Sequence, residues 1–203
     1  PDHGYYATRD PFGTAGDFTT APEISQMFGE LLGLCLAQAW LDQGAPAAFT
    51  LAELGPGRGT LMADVLRATA RVPGFHTAAR VVLVEASAHL RARQRATLAS
   101  HAVQWAEDVT DLPQAPLYLL ANEFFDALPI RQFTRAALGW SETMVGLVDG
   151  RLSLGRSEAA ALTLLAHRLA DTKPGEIVET CPAAPAIMEA ISARITQHGG
   201  LAL

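Results

Sequence analysis

The sequence predicts an α/β fold built on a parallel sheet, and three observations predict it. Short, fully apolar runs, FTLAEL, RVVLVEAS and APLYLLA, alternate with segments whose apolar residues recur at three and four. A glycine-rich turn, GPGRG, joins the first of these runs to a helical segment. Acidic and amide residues then stand where the runs end: Glu53, Glu85, Asp108, and the group Asn122, Glu123 and Asp126.

The elements follow in order. In TTAPEISQMFGELLGLCLAQAW, Thr20 and Glu23 have capping-box spacing and Pro22 falls in the first turn, so a helix is expected to start there. Ile24, Met27, Phe28, Leu31, Cys35 and Ala39 predict its apolar face, while Gly29 and Gly33 thin it for close packing. Phe49 to Leu54 reads as a strand, and Leu61, Met62, Val65, Leu66 and Thr69 mark the helix beyond the glycines. Arg80 to Ser87 is a second strand ending in a possible helix cap, with Leu90, Gln94, Thr97 and Leu98 on the helix that follows. Ala102 to Trp105 and the apolar stretch up to Ala121 complete four strands.

Beyond Pro129 the pattern changes. Residues 130–156 alternate loosely around Asp149-Gly150, a two-residue hairpin signal, and predict an antiparallel insertion. Helices are expected over Ser157–Ala170 and Pro182–His198, with GEIVET as a strand between them and another strand beginning at Leu201. The organisation expected is a loop and helix at 1–45, a sheet core at 46–129, the insertion at 130–156, and helices leading to a further core strand at 157–203. An opening without methionine and an ending in HGGLAL predict a chain truncated at both ends.

Composition narrows the partners. The 203 residues are 49% hydrophobic and carry a formal net charge of −6 without a Lys/Arg cluster, which argues against nucleic acid. No apolar run is long enough for a membrane span, and the opening lacks a signal-peptide pattern. Two cysteines and six scattered histidines support neither a disulfide framework nor a metal site.

Gly55, Gly57 and Gly59, with Pro56 between the first two, form G-x-G-x-G. Such a turn brings backbone N–H groups and a positive helix end close to a ligand, although a tight turn with no ligand has the same sequence. A P-loop would need a lysine that is missing here, and a dinucleotide motif would place its third glycine one position later. Glu53 suits an ammonium, Glu85 with its neighbour Ala86 suits ribose hydroxyls, and Asp108 with Val109 suits an adenine amino group. A ligand with adenosine, a cationic tail and no phosphate is S-adenosylmethionine.

Four stretches, GYYATRDPFGTAGDFTTAPEISQMFGE, ELGPGRGTLMADVLR, VEASAHLRARQ and ANEFFDALPIRQF, together resemble the MidA-type methyltransferases. The resemblance runs in order from Gly4 to about Phe133 and more weakly to Gly200. It implies a class I methyltransferase (Rossmann-like) fold with insertions, S-adenosylmethionine as donor, and symmetric dimethylation of an arginine in the quinone-side subunit of NADH dehydrogenase. It also implies a cytoplasmic location in a bacterium and the mitochondrial matrix in a eukaryote. In this reading Glu123 and Asp126 grip the guanidinium, Asn122 fixes the loop and also contacts the cofactor, and Phe124 and Phe125 wall the site, with cation–π attraction on the order of 1 kcal/mol. NEFFDALP is equally compatible with an ordinary helix start. GDFTTAPEIS reads either as a helix cap or as a lid, with Tyr6 or Phe18 near the substrate. A methyltransferase with another acceptor and a non-catalytic assembly chaperone stay open as alternatives.

Overall fold

The computed structural model describes residues 20–203. Tyr6, Phe18 and the stretch up to Thr19 lie outside the described residues. The chain divides into two units, the first comprising its described residues up to Asp126 together with Ala186–Leu203, the second Ala127–Pro185.

In the first unit, β1 (Phe49–Leu54), β2 (Ala79–Val84), β3 (Val103–Ala106), β4 (Leu117–Leu120) and β9 (Gly200–Ala202) form one sheet in the order 3-2-1-4-9. Every neighbouring pair is parallel. Strand alternation sorts the side chains onto two cores. Leu51, Leu83, Tyr118 and Leu120 point toward the helices α2 (Gln26–Asp42) and α3 (Thr60–Thr69). Ala52, Leu54, Val82, Val84, Leu117 and Leu119 point to the opposite side, where α6 (Ala184–His198) lays Ile187, Ile191 and Ile195 over them. Burial on both faces is why these runs are apolar throughout rather than alternating.

At the amino end of the sheet four aromatic rings lock together. Trp40 meets Phe75 edge-on at 5.4 Å, and Phe49 meets Tyr118 edge-on at 5.1 Å. Such pairs contribute roughly 0.5–1.5 kcal/mol each beyond their burial. These rings close the amino end, whereas open parallel sheets of this kind bind ligands at the carboxyl end.

The first helical region differs from expectation. It breaks at Ser25, which is extended (φ −142°, ψ 113°), into a single turn α1 (Ala21–Ile24) and the long α2. Thr20 makes no side-chain cap, so the capping box is not formed. The buried face of α2 is Gly29, Gly33, Leu36, Ala37 and Trp40, while Ile24, Met27 and Leu31 are exposed. Close approach explains the choice. A Cβ at Gly29 would lie 2.7 Å from Asp64 Cβ, and one at Gly33 would lie 2.9 Å from Val65 Cα. The face with glycines lets α2 lie against the backbone of α3, and Met27 and Leu31 are turned outward.

The second unit is an antiparallel sheet, β7-β6-β5-β8, of β5 (Arg131–Arg135), β6 (Trp140–Val148), β7 (Arg151–Arg156) and β8 (Ile177–Thr180). The predicted hairpin turn is present, with Asp149 (φ 51°) and Gly150 (φ 73°) both left-handed as a two-residue turn of this kind requires. Phe133, Trp140, Leu165 and Val178 form the unit's core. The helix expected over Ser157–Ala170 is reduced to a 3-10 helix at Thr163–Arg168. Ala160 instead pairs with Trp140, its carbonyl accepting from the Trp140 N–H at 2.8 Å. Leu162 and Leu165 share a face at a spacing of three, which a 3-10 helix satisfies as well as an α-helix.

The chain returns to the first sheet through α6, Gly199 (φ 85°) and β9. A Cβ at Gly200 would stand 1.9 Å from the Leu117 carbonyl oxygen, so only glycine fits beside β4. Gln43, just past α2, ties this strand down by accepting from the Gly200 N–H at 2.9 Å and donating to its carbonyl at 3.1 Å.

Candidate functional site

Strand order places a crevice between β1 and β4, where the chain changes direction across the sheet. Open parallel sheets bind ligands outside the carboxyl ends of their strands at such a point. The glycine turn leaves β1 there, and the Asn122–Asp126 loop leaves β4 there. Glu85 and Asp108 stand farther along the same edge, after β2 and β3.

All three glycines are left-handed, with φ of 59° at Gly55, 53° at Gly57 and 82° at Gly59. Gly55 N–H reaches back to the Val84 carbonyl at 3.1 Å, and Gly59 N–H closes the turn on the Pro56 carbonyl at 2.7 Å. Pro56 is buried, Gly55 is exposed, and Gly59 is the N-cap of α3. A Cβ at Gly55 would come within 2.9 Å of Phe124 Cδ2, so the β4 loop lies directly against the turn.

Glu53 is 3% exposed at the root of this turn, on the α3 side of the sheet. Its carboxyl accepts from the Met62 backbone N–H, and burial pushes its pKa up to about 8. Its Oε2 is buried with no partner among the described residues. An unpaired buried oxygen of this kind is costly unless a ligand completes it.

Glu85 is held from two sides. Its Oε1 accepts from Ser87 N–H at 2.8 Å and its Oε2 from Gln94 Nε2 at 3.2 Å. Burial raises its pKa, and the hydrogen bonds from Ser87 and Gln94 work against that rise. Ala86 beside it is exposed. Asp108 is exposed, and its Oδ1 accepts from both the N–H and the hydroxyl of Thr110, at 2.8 and 2.7 Å. Those bonds hold its carboxyl below the usual range. The Val109 side chain is buried in the core beneath, which leaves only its backbone to face a ligand.

After β4 no helix starts. Residues 122–123 form a turn, and Glu123 is left-handed (φ 50°), an uncommon state for a non-glycine residue that clusters at functional sites. Phe124 and Phe125 stack edge-on at 5.3 Å and 82°, packed on the second core. Glu123 and Asp126 are exposed, and Asn122 is half-buried. The site thus joins the glycines, Glu53 and the 122–126 loop at the crevice, with Glu85 and Asp108 set outward along the edge.

Two residues were not legible as site components. Gln94, fully buried on α5 (Ala88–Thr97), donates to the Gly57 carbonyl at 2.8 Å and to Glu85, while its Oε1 accepts from Trp105 Nε1 at 2.8 Å. One amide therefore fixes the glycine turn relative to the second acid. The available signal was a polar residue in the apolar Leu90–Gln94–Leu98 stripe. Arg194, 5% exposed on α6, donates to the carbonyls of Thr110 and Leu112 at 2.9 and 3.0 Å and so anchors the segment after Asp108.

Comparison with known proteins establishes the family. Residues 31–203 match the family described as "Putative S-adenosyl-L-methionine-dependent methyltransferase", and the chain belongs to that family. Among curated proteins, the chain is 36% identical over 229 residues to the Bos taurus protein arginine methyltransferase NDUFAF7, mitochondrial, and 37% over 233 residues to its Homo sapiens counterpart. All of this chain but 52% of each of those proteins is covered, so the chain spans about half their length. A crystal structure of a "likely methyl transferase" from Burkholderia thailandensis, bound to S-adenosyl-homocysteine, superposes with a TM-score of 0.79 at 34% identity. That match covers 96% of this chain and 52% of the other. Fold class and family accord with the sequence-based expectations.

Among the described residues no cluster of His, Cys, Asp and Glu could hold a metal ion, and no helix is long and apolar enough to cross a membrane. Cys35 and Cys181 are both free thiols.

Proposed function

We propose that the protein is an S-adenosylmethionine-dependent protein-arginine N-methyltransferase. The observation that carries the reading is the buried, unpaired Glu53 Oε2 at the root of three left-handed glycines, an acid that a ligand ammonium would both pair with and ionise. Glu53, Gly55, Pro56, Gly57 and Gly59 hold the cofactor's amino-acid end. Glu85 and Ala86 take the ribose, and Asp108 with the Val109 backbone takes the adenine. When bound, S-adenosylmethionine supplies an electrophilic methyl group and leaves as the neutral thioether.

A guanidinium is always protonated in proteins, so the enzyme must orient it, hold its charge and accept the proton lost as the new C–N bond forms. Glu123 and Asp126 flank the crevice as exposed carboxylates suited to the fork geometry of an arginine. Phe125 walls them and Asn122 fixes the loop. Alignment of nitrogen, methyl and sulfur at about 3 Å supplies most of the rate.

A protein arginine as acceptor is supported by the names of the curated relatives. The resemblance adds the finer expectation of symmetric dimethylation on a subunit of NADH dehydrogenase. The test is calorimetric titration with S-adenosyl-homocysteine, followed by methyl transfer to recombinant quinone-side subunit. Asp126→Asn is expected to lose transfer while keeping cofactor and partner binding. A folded protein that does not bind S-adenosyl-homocysteine sinks the reading, and full transfer by the Asp126 variant sinks the assigned roles.

A further inference from the structure

The turn after β1 has the parts of an anion nest: left-handed glycines, the amino end of a ten-residue helix, and an arginine, Arg58, within the turn itself. In dinucleotide-binding folds the pyrophosphate lies at this helix end. Here carboxyl groups of the chain itself reach it. Glu53 accepts from the Met62 N–H in the first turn of α3. Glu23, on the single-turn helix α1, accepts from the Thr60 hydroxyl at 2.7 Å, and its other oxygen lies 3.7 Å from Arg58 Nη1. Thr60 is the first residue of α3, so Glu23 sits where a phosphate would seek the helix dipole and the arginine together.

We propose that Glu23 is a specificity-determining residue: its carboxylate occupies the electropositive mouth of the glycine turn and turns away pyrophosphate-bearing adenine nucleotides, leaving the site to an adenosine ligand with a cationic tail. The inference rests on the methyltransferase reading for the identity of that ligand, but not for the exclusion itself. The break at Ser25 belongs to the same arrangement. With Thr20 not capping and Pro22 buried, α1 stands apart from α2, and Glu23 engages the neighbouring helix instead of its own amino end. A phosphate entering the turn would displace Glu23 from Arg58 and Thr60 or lie beside a like charge.

S-adenosyl-homocysteine and ADP share adenosine and differ in the tail, so the two probes isolate the effect. Titrations of the unaltered protein, Glu23→Gln and Glu23→Ala are compared at low salt. Loss of the charge is expected to strengthen ADP binding at least about tenfold in either folded variant, while Glu23→Gln, which can still accept from Thr60, keeps S-adenosyl-homocysteine within about threefold. In the unaltered protein salt is expected to leave ADP binding unchanged or strengthen it, whereas an ordinary phosphate site weakens with salt. ADP affinity unmoved in the variants, or ADP binding by the parent that weakens with salt, overturns the proposal. A parent that ignores S-adenosyl-homocysteine while Glu23→Gln takes ADP refutes the cofactor reading and leaves the role of Glu23 standing.

Discussion

Replacing Gln94 with leucine keeps the volume and removes a single amide. Three contacts go with it: the bonds to the Gly57 carbonyl at 2.8 Å, to Glu85 Oε2 at 3.2 Å and from Trp105 Nε1 at 2.8 Å. A buried polar group left without its partner costs about 1–3 kcal/mol. Trp105 and Gly57 are only half-buried, and water can reach them, so each contributes at the low end. Glu85 keeps its bond from Ser87 but loses the one that fixes its second oxygen. The sum is a destabilisation of about 2–4 kcal/mol, read as a shift of the urea midpoint at unchanged slope. In the proposed cofactor site Gly57 and Glu85 both face the ligand, so S-adenosyl-homocysteine affinity should fall about tenfold, the equivalent of roughly 1.4 kcal/mol. Tryptophan fluorescence during unfolding and calorimetric titration measure the two effects separately. A variant within about 0.5 kcal/mol of the parent and within about twofold in affinity would refute the view that Gln94 couples the turn to Glu85.

Other perturbations have equally definite outcomes. Glu53 ordinarily titrates near 4.5 when unfolded but near 8 in the buried site, so the folded state holds the proton through that window and stability falls as pH rises across it, by at most about 1.4 kcal/mol per unit. Glu53→Gln should flatten this slope in urea unfolding measured from pH 5 to about 8, and an unchanged slope would exclude Glu53 as its source. Gly55→Ala meets both a left-handed backbone and the Phe124 ring at 2.9 Å. It should destabilise by at least about 1–2 kcal/mol, and Phe124→Leu in the same chain should recover the steric part but not the backbone part. Gly200→Ala forces a Cβ onto the Leu117 carbonyl and should detach β9, seen as faster hydrogen exchange at Leu203 and Ala121, whose N–H groups bond across the β4–β9 seam.

Much of this architecture is legible in the sequence. The apolar runs are adjacent parallel strands, Phe49–Leu54 as expected and the second ending at Val84 rather than Ser87, because burial on both faces requires their continuity. The glycines after Glu53 became left-handed because no other residue adopts those angles cheaply. The α2 face agrees with expectation in part. Phe28 and Ala39 pack on the core and Gly29 and Gly33 allow the expected close approach, but Ile24, Met27, Leu31 and Cys35 are exposed because the glycine side, not theirs, meets the backbone of α3. The helix expected at Ser157–Ala170 yielded because Ala160 found backbone partners on β6.

Local chemistry is what a sequence carries: the period of apolar residues, the angles glycine permits and the acids that close each strand. Those determined the parallel sheet, the glycine turn at its carboxyl edge and the candidate set Glu53, Glu85, Asp108, Asn122, Glu123 and Asp126 at the strand ends. Long-range pairing is what it does not carry. That Gln94 would bind the turn and an acid 37 and 9 residues away, and that Glu23 would leave its own helix end for Thr60, 37 residues on, depended on which helices pack side by side. Such partners are selected by distance in the folded chain, and only the tertiary structure supplies that distance.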